Sequence, residues 1–142
     1  MNLKLQLKVL SFLQFFLWGS WLNTFGSYMF ITLRFKGEDI GAVYSTLGIA
    51  ALITSTLFGI VADKWISAKW IYAACHLFGA ITLFVAASVT TPSAMFIVIL
   101  LNSLVYMPTL GLSNTISYYR IQTAGMDIVT EFPPIRIWGT IG

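Results

Sequence analysis

Ala94-Met-Phe-Ile-Val-Ile-Leu-Leu-Asn-Ser-Leu-Val-Tyr-Met-Pro-Thr-Leu-Gly-Leu-Ser-Asn-Thr-Ile-Ser-Tyr-Tyr119 contains no Asp, Glu, Lys, Arg or His. A helix that crosses a bilayer needs roughly 20 mostly apolar residues, because the hydrocarbon core is about 30 Å thick. This run exceeds that length and ends at Arg120. Three runs of the same kind precede it, at about Val9–Leu33, Ile40–Ala62 and Lys69–Val89. Arg34-Phe-Lys-Gly-Glu-Asp39, Asp63-Lys64 and Thr90-Thr-Pro-Ser93 separate them. In hydrocarbon every backbone N–H and C=O must be paired internally, so such runs are helices. The expected fold class is an all-α membrane protein, a polytopic bundle of transmembrane helices.

Composition agrees. The chain is 58% hydrophobic and 9% charged, with mean hydropathy +0.84. Soluble domains carry about 25% charged residues. The deficit excludes a soluble globular domain and a nucleic-acid binder, despite a net charge of +3 and a pI near 9.2. The basic residues sit between apolar runs, where they set orientation. Lys4, Lys8, Lys64, Lys69 and Arg120 fall on one side; Arg34 and Lys36, offset by Glu38 and Asp39, fall on the other. The N-terminus is therefore expected in the cytoplasm. Val9–Leu33 exceeds the roughly 7–15 apolar residues of a signal peptide, and no small-x-small cleavage site follows it. It reads as a retained first helix. Cys75, the single cysteine, lies inside an apolar run, with no Cys/His spacing for a metal and no sign of a cofactor.

Polar residues inside the runs are the candidates for function. On the first helix Gln14, Trp18, Trp21, Phe25 and Tyr28 recur at three- and four-residue steps and share a face. That face suits either helix packing or a cavity that stacks flat rings. On the second, Gly41, Ser45, Gly48, Ser55, Gly59 and Ala62 form a small-residue seam for close packing. His76 in the third reads first as a packed, hydrogen-bonded side chain and second as a proton carrier. Asn102, Tyr106, Thr109 and Ser113 share one face of the fourth and suit a water-filled cavity. None of the four runs contains Asp or Glu, so a carboxylate coupled to protons would lie elsewhere.

The last stretch is Glu131-Phe-Pro-Pro-Ile-Arg-Ile-Trp-Gly-Thr-Ile-Gly142. Pro133-Pro134 suits a helix start, so a fifth helix is expected from about residue 133, or slightly earlier with a proline kink. Arg136 then has two readings. In a first turn it would snorkel to the cytoplasmic surface as an anchor. In a helix starting nearer Asp127 it would sit deeper and need a partner. Arg136 and Thr140 are one turn apart on one face, and together would serve a ligand's carbonyl or hydroxyl groups. Asp63, at the end of the second run, reads equally as a solvated loop residue or as a conformational latch on a neighbouring helix N-terminus.

Gly59-Ile-Val-Ala-Asp63-Lys64 with Lys69 resembles the loop signature of the major facilitator superfamily, with Ile66 where that signature has glycine. Five further blocks carry a closer resemblance. They are Asn2-Leu-Lys-Leu-Gln-Leu-Lys8, Leu17-Trp-Gly-Ser-Trp21, Tyr106-Met-Pro-Thr-Leu-Gly111, Asn114-Thr-Ile-Ser-Tyr-Tyr-Arg120 and Phe132-Pro-Pro-Ile-Arg-Ile-Trp-Gly-Thr-Ile-Gly142. Together they look like the bacterial nucleoside:proton symporters of that superfamily.

The resemblance implies twelve helices in two six-helix halves, with a nucleoside site at mid-membrane. It implies alternating access driven by protons across the bacterial inner membrane. Residues 1–142 would form part of the N-terminal six-helix half, partnered by a missing C-terminal part of the carrier. Arg136 and Thr140 match an arginine and a threonine that contribute to the family's nucleoside site. The expected function is nucleoside transport by proton symport, without enzymatic chemistry; the expected partners are a nucleoside, protons, the lipid bilayer and that missing part. The rivals are a facilitator for another small solute and a non-transporting four-helix membrane scaffold.

Overall fold

The computed structural model describes residues 2–64 and 67–142, and of residues 55–64 the backbone alone. The order is α1 (Leu3–Ser27), a π-helical turn (Tyr28–Thr32), α2 (Gly37–Lys64), α3 (Ala68–Ala86), α4 (Pro92–Thr123) and α5 (Ile128–Ile141). Among the described residues α3 and α4 are long and apolar enough to cross a membrane by length and composition, with mean hydropathies of 1.4 and 1.9. At 1.5 Å per residue α1 and α2 reach about 37 and 42 Å, also enough for a span.

The helix ends differ from the apolar runs because capping chemistry sets them. α1 begins at Leu3, ahead of Val9. Its two lysines find partners there: Lys4 Nζ lies 2.7 Å from Glu131 Oε1, and Lys8 sits over the Trp138 ring at 5.8 Å. At its other end α1 passes into the π turn, where the Leu33 amide donates to the Tyr28 carbonyl at 3.2 Å. The chain then leaves through Arg34 in the left-handed region, φ +60°. α2 begins at Gly37, with Glu38 and Asp39 in its first turn against the positive end of the helix dipole. α4 continues through Pro108 and past Tyr119 to Thr123. Gly125, at φ +69°, stops it. The Met126 amide donates to Ile121 O at 3.1 Å and the Gly125 amide to Gln122 O at 3.0 Å, which is the Schellman pattern.

The fifth helix corrects the expected start at about Pro133. It begins at Ile128, because Asp127 caps it: the carboxylate accepts from the Val129 amide at 3.3 Å and the Thr130 amide at 3.2 Å. Pro133 and Pro134 lie inside the helix. They offer no N–H to the carbonyls of Val129 and Thr130. Both of those residues are exposed, so no buried acceptor is orphaned.

The chain divides into two compact units: the N-terminal stretch through Thr24 with Ser113–Gly142, and Phe25–Leu112. In the first, Leu7, Ile121 and Ile135 form a buried cluster, flanked by Leu3, Met126, Ile128 and Phe132. Tyr118 meets the Phe132 ring edge-on at 4.5 Å. The C-terminal turn of α5 closes on α1, with a Cβ at Gly142 placed against the Phe12 carbonyl.

In the second unit Met29, Val43, Ala50, Met95 and Ile99 are almost wholly buried. Ile71, Cys75 and Leu112 form a cluster with Tyr72 and Val105. Polar side chains stitch the helices. Asn102 on α4 donates to Gly79 O at 3.0 Å and to Thr82 Oγ1 at 2.9 Å on α3. Thr46 Oγ1 on α2 lies 3.4 Å from Ser103 Oγ on α4.

Over Gly37–Thr54 the packed face of α2 is not the small-residue seam. Gly41, Ser45 and Gly48 are exposed, and a Cβ at Gly41 or Gly48 would have no neighbour within 4 Å. Val43, Thr46, Ala50 and Thr54 are buried instead. The two threonines tolerate burial because their hydroxyls donate to Val43 O at 2.6 Å and Ala50 O at 2.7 Å. The side chains of Ser55, Gly59 and Ala62 lie outside the described residues.

Candidate functional site

The start of α5 at Ile128 places Arg136 more than two turns into the helix, at 3.6 residues per turn. That is the deeper of its two readings. The guanidinium has no hydrogen bond or ion pair among the described residues. It lies over an aromatic ring, with Arg136 Cζ 4.4 Å from the centroid of Phe15 on α1. The arginine is half-buried. Cation–π contacts of this kind contribute about 0.5–2 kcal/mol, rising as water is excluded.

Arg136 and Thr140 line one concavity, an open cleft of ≈ 410 Å³ along α5, together with Phe132, Pro133 and Ile137. Its walls are mostly apolar, with one cation and one hydroxyl. This combination can cover a flat apolar body and donate to oxygens at its edge. It gathers no carboxylate, and among the described residues no three His, Cys, Asp or Glu side chains gather to hold a metal.

Buried Gly139 completes the site. A Cβ built there would lie 2.7 Å from Arg136 Nη1 and 2.7 Å from Phe15 Cδ2. Phe15 and Gly139 were not among the residues singled out by sequence reasoning. Phe15 is one of several phenylalanines on α1, and only the contact with α5 distinguishes it.

The other candidates have mainly packing environments. Gln14 is fully buried. Asn102, Tyr106, Thr109 and Ser113 are all buried, and Asn102 spends its amide on α3, not on a water-filled space. His76 Nδ1 is 3.0 Å from Tyr72 O, and its ring lies 4.3 Å from that of Tyr72 and 6.0 Å from that of Tyr106. Asp63 belongs to the last turn of α2, but its side chain lies outside the described residues.

The family model described as "Nucleoside H+ symporter" matches residues 1–142. The chain belongs to this family. It is 78% identical over 142 residues to nucleoside permease NupG of Escherichia coli (strain K12), covering 100% of this chain and 34% of the permease. It is 55% identical over 142 residues to the xanthosine permease of the same organism, with coverage of 100% and 34%. The crystal structure of nucleoside transporter NupG superposes with a TM-score of 0.95 at 77% identity, over 99% of this chain and 35% of that one. The fold of this symporter-family chain is thus all-helical and is the N-terminal part of a major facilitator fold. The chain spans about a third of the length of the curated relatives it matches.

Proposed function

We propose that the chain works within a proton-driven nucleoside importer of the bacterial inner membrane, and that Arg136 and Thr140 bind the nucleoside. The observation that carries this reading is a guanidinium with no ion pair among the described residues, near a hydroxyl, in a mostly apolar cleft of a chain that belongs to the nucleoside H+ symporter family. A nucleoside is neutral, has a flat base and presents several carbonyl and hydroxyl oxygens. The guanidinium would donate to those oxygens, and Thr140 would donate or accept. A carboxylate partner would compete for the same donors.

The solute crosses unchanged, so the chemistry is that of a carrier and not of an enzyme. Two halves rocking about a shared site would expose it to each side in turn. The Lys and Arg excess around Lys4, Lys8, Lys64, Lys69 and Arg120 supports an N-terminus in the cytoplasm. Asp63 would act as a latch on that side, formed in one conformation and broken in the other.

The test is uptake of labelled uridine by the full-length carrier in proteoliposomes, with and without an inward proton gradient. A hydrogen bond to a charged group is worth about 1.5–3 kcal/mol, so Arg136→Ala is expected to weaken apparent affinity about 10–100-fold. Thr140→Val should cost less. Asp63→Asn should change the maximal rate with little effect on KM. Gradient-driven uptake untouched by Arg136→Ala would return Arg136 to the role of an anchor. A carrier that takes up sugars and ignores uridine would overturn the substrate class.

A further inference from the structure

We propose that Phe15 is a positioning residue for Arg136, and that Gly139 is glycine because the pair leaves no room for a side chain. The inference rests on the binding role proposed for Arg136 and deepens it.

An arginine that binds a neutral ligand must keep two things at once. Its charge gains from a partner where the cleft walls are mostly apolar, and its in-plane N–H groups must remain free to donate. A carboxylate would supply the first and consume the second. An aromatic ring under the guanidinium supplies the first through its negative face, while the five N–H groups still point outward in the plane. Phe15 provides that ring at 4.4 Å. The side chain of an arginine is flexible, and holding it in its binding pose beforehand lowers the ordering cost when the ligand arrives.

Gly139 is the second observation. It is buried, three residues after Arg136 on the side that meets α1. A methyl group there would stand 2.7 Å from Arg136 Nη1, 2.7 Å from Phe15 Cδ2 and 3.0 Å from Phe15 Cε2. Real Cβ atoms do not approach that closely, so alanine would push the cation, the ring or both out of place. The helices also approach at Gly142, where a Cβ would lie 3.0 Å from the Phe16 amide nitrogen. The contact is thus built from both helices: a ring from α1, and a bare backbone position from α5 that lets the cation reach it.

The experiment is a double-mutant cycle in the full-length carrier, reading KM and maximal rate for uridine in proteoliposomes. Each variant's folded fraction is checked by size-exclusion chromatography in detergent. Phe15→Leu keeps an apolar side chain and removes the ring. It is expected to raise KM about 3–30-fold, from the usual range of a cation–π contact, with the maximal rate held within about twofold. Phe15→Tyr retains the ring and should restore a near-native KM. Gly139→Ala should raise KM in the same direction. Phe15→Leu should have no further effect in an Arg136→Ala background, because the group it positions is gone. Additive effects in that background, or a native KM for Phe15→Leu beside a raised one for Arg136→Ala, would overturn the positioning role and leave the binding role standing. Native uptake by Arg136→Ala would overturn both.

Discussion

Asn102 is a polar link between α3 and α4, and replacing it tests how the second unit is held. Its side chain is 2% exposed, and its amide donates to Gly79 O at 3.0 Å and Thr82 Oγ1 at 2.9 Å. Neither acceptor is orphaned when the amide is removed. Gly79 O lies within α3 with the Thr82 hydroxyl at 2.9 Å, and the single proton of that hydroxyl goes either there or to Phe78 O at 3.1 Å. The loss in Asn102→Ala is therefore two interhelical hydrogen bonds and the volume of an amide. Interhelical hydrogen bonds in membranes average about 0.6 kcal/mol, with a maximum near 1.7. Two of them with a small cavity come to about 1–3 kcal/mol. Asn102→Leu refills the space without the bonds and should lose less than the alanine variant. The assay is equilibrium unfolding of the purified carrier in mixed micelles, followed by tryptophan fluorescence. Asn102→Ala within about 0.5 kcal/mol of native, a margin set by ordinary surface substitutions, would refute the reasoning. So would a leucine variant weaker than the alanine one.

Two further predictions concern the ends of helices. The Thr130 side chain foremost, and then the Val129 amide, hold the exposed Asp127 carboxyl below the usual carboxylate range. A lowered folded value means its stabilisation is present above the unfolded value of about 3.9 and is lost as pH falls through the folded one. Hydrogen-exchange protection at the start of α5 should thus fall in acid and stay flat between about pH 6 and 8. Asp127→Asn should keep the cap and abolish that acid dependence; a native acid profile in the asparagine variant would contradict the assignment. Gly125→Ala meets no neighbour within 4 Å, so its cost is left-handed strain alone, about 1–2 kcal/mol, visible as a lowered melting temperature. Gly125→Asn should cost less, and equal losses for alanine and asparagine would argue against strain as the cause.

The places where sequence reading and structure part follow from which interactions compete. Apolar length indicated where helices run, yet Asp127 moved the start of α5 ahead of its prolines, since a carboxylate taking two amides outweighs proline's preference for a first turn. The cap was readable in principle: Asp127 stands just before an apolar stretch, as an N-cap does. The Schellman stop at Gly125 was readable too, in a glycine after a basic last turn. At Gly41, Ser45 and Gly48 the small residues of α2 are exposed, because spacing tells which residues share a face and not which neighbour covers it.

What the sequence determined by itself was the membrane class, the approximate helices and the pairing of Arg136 with Thr140, all of which follow from local periodicity and from the cost of charge in hydrocarbon. Tertiary structure decided what those residues touch. The Phe15 ring lies far from Arg136 along the chain, and Gly139 is unremarkable until a second helix is laid against it. Periodicity is a property of one helix. The placement of a cation over a ring, and the missing methyl that allows it, are properties of two.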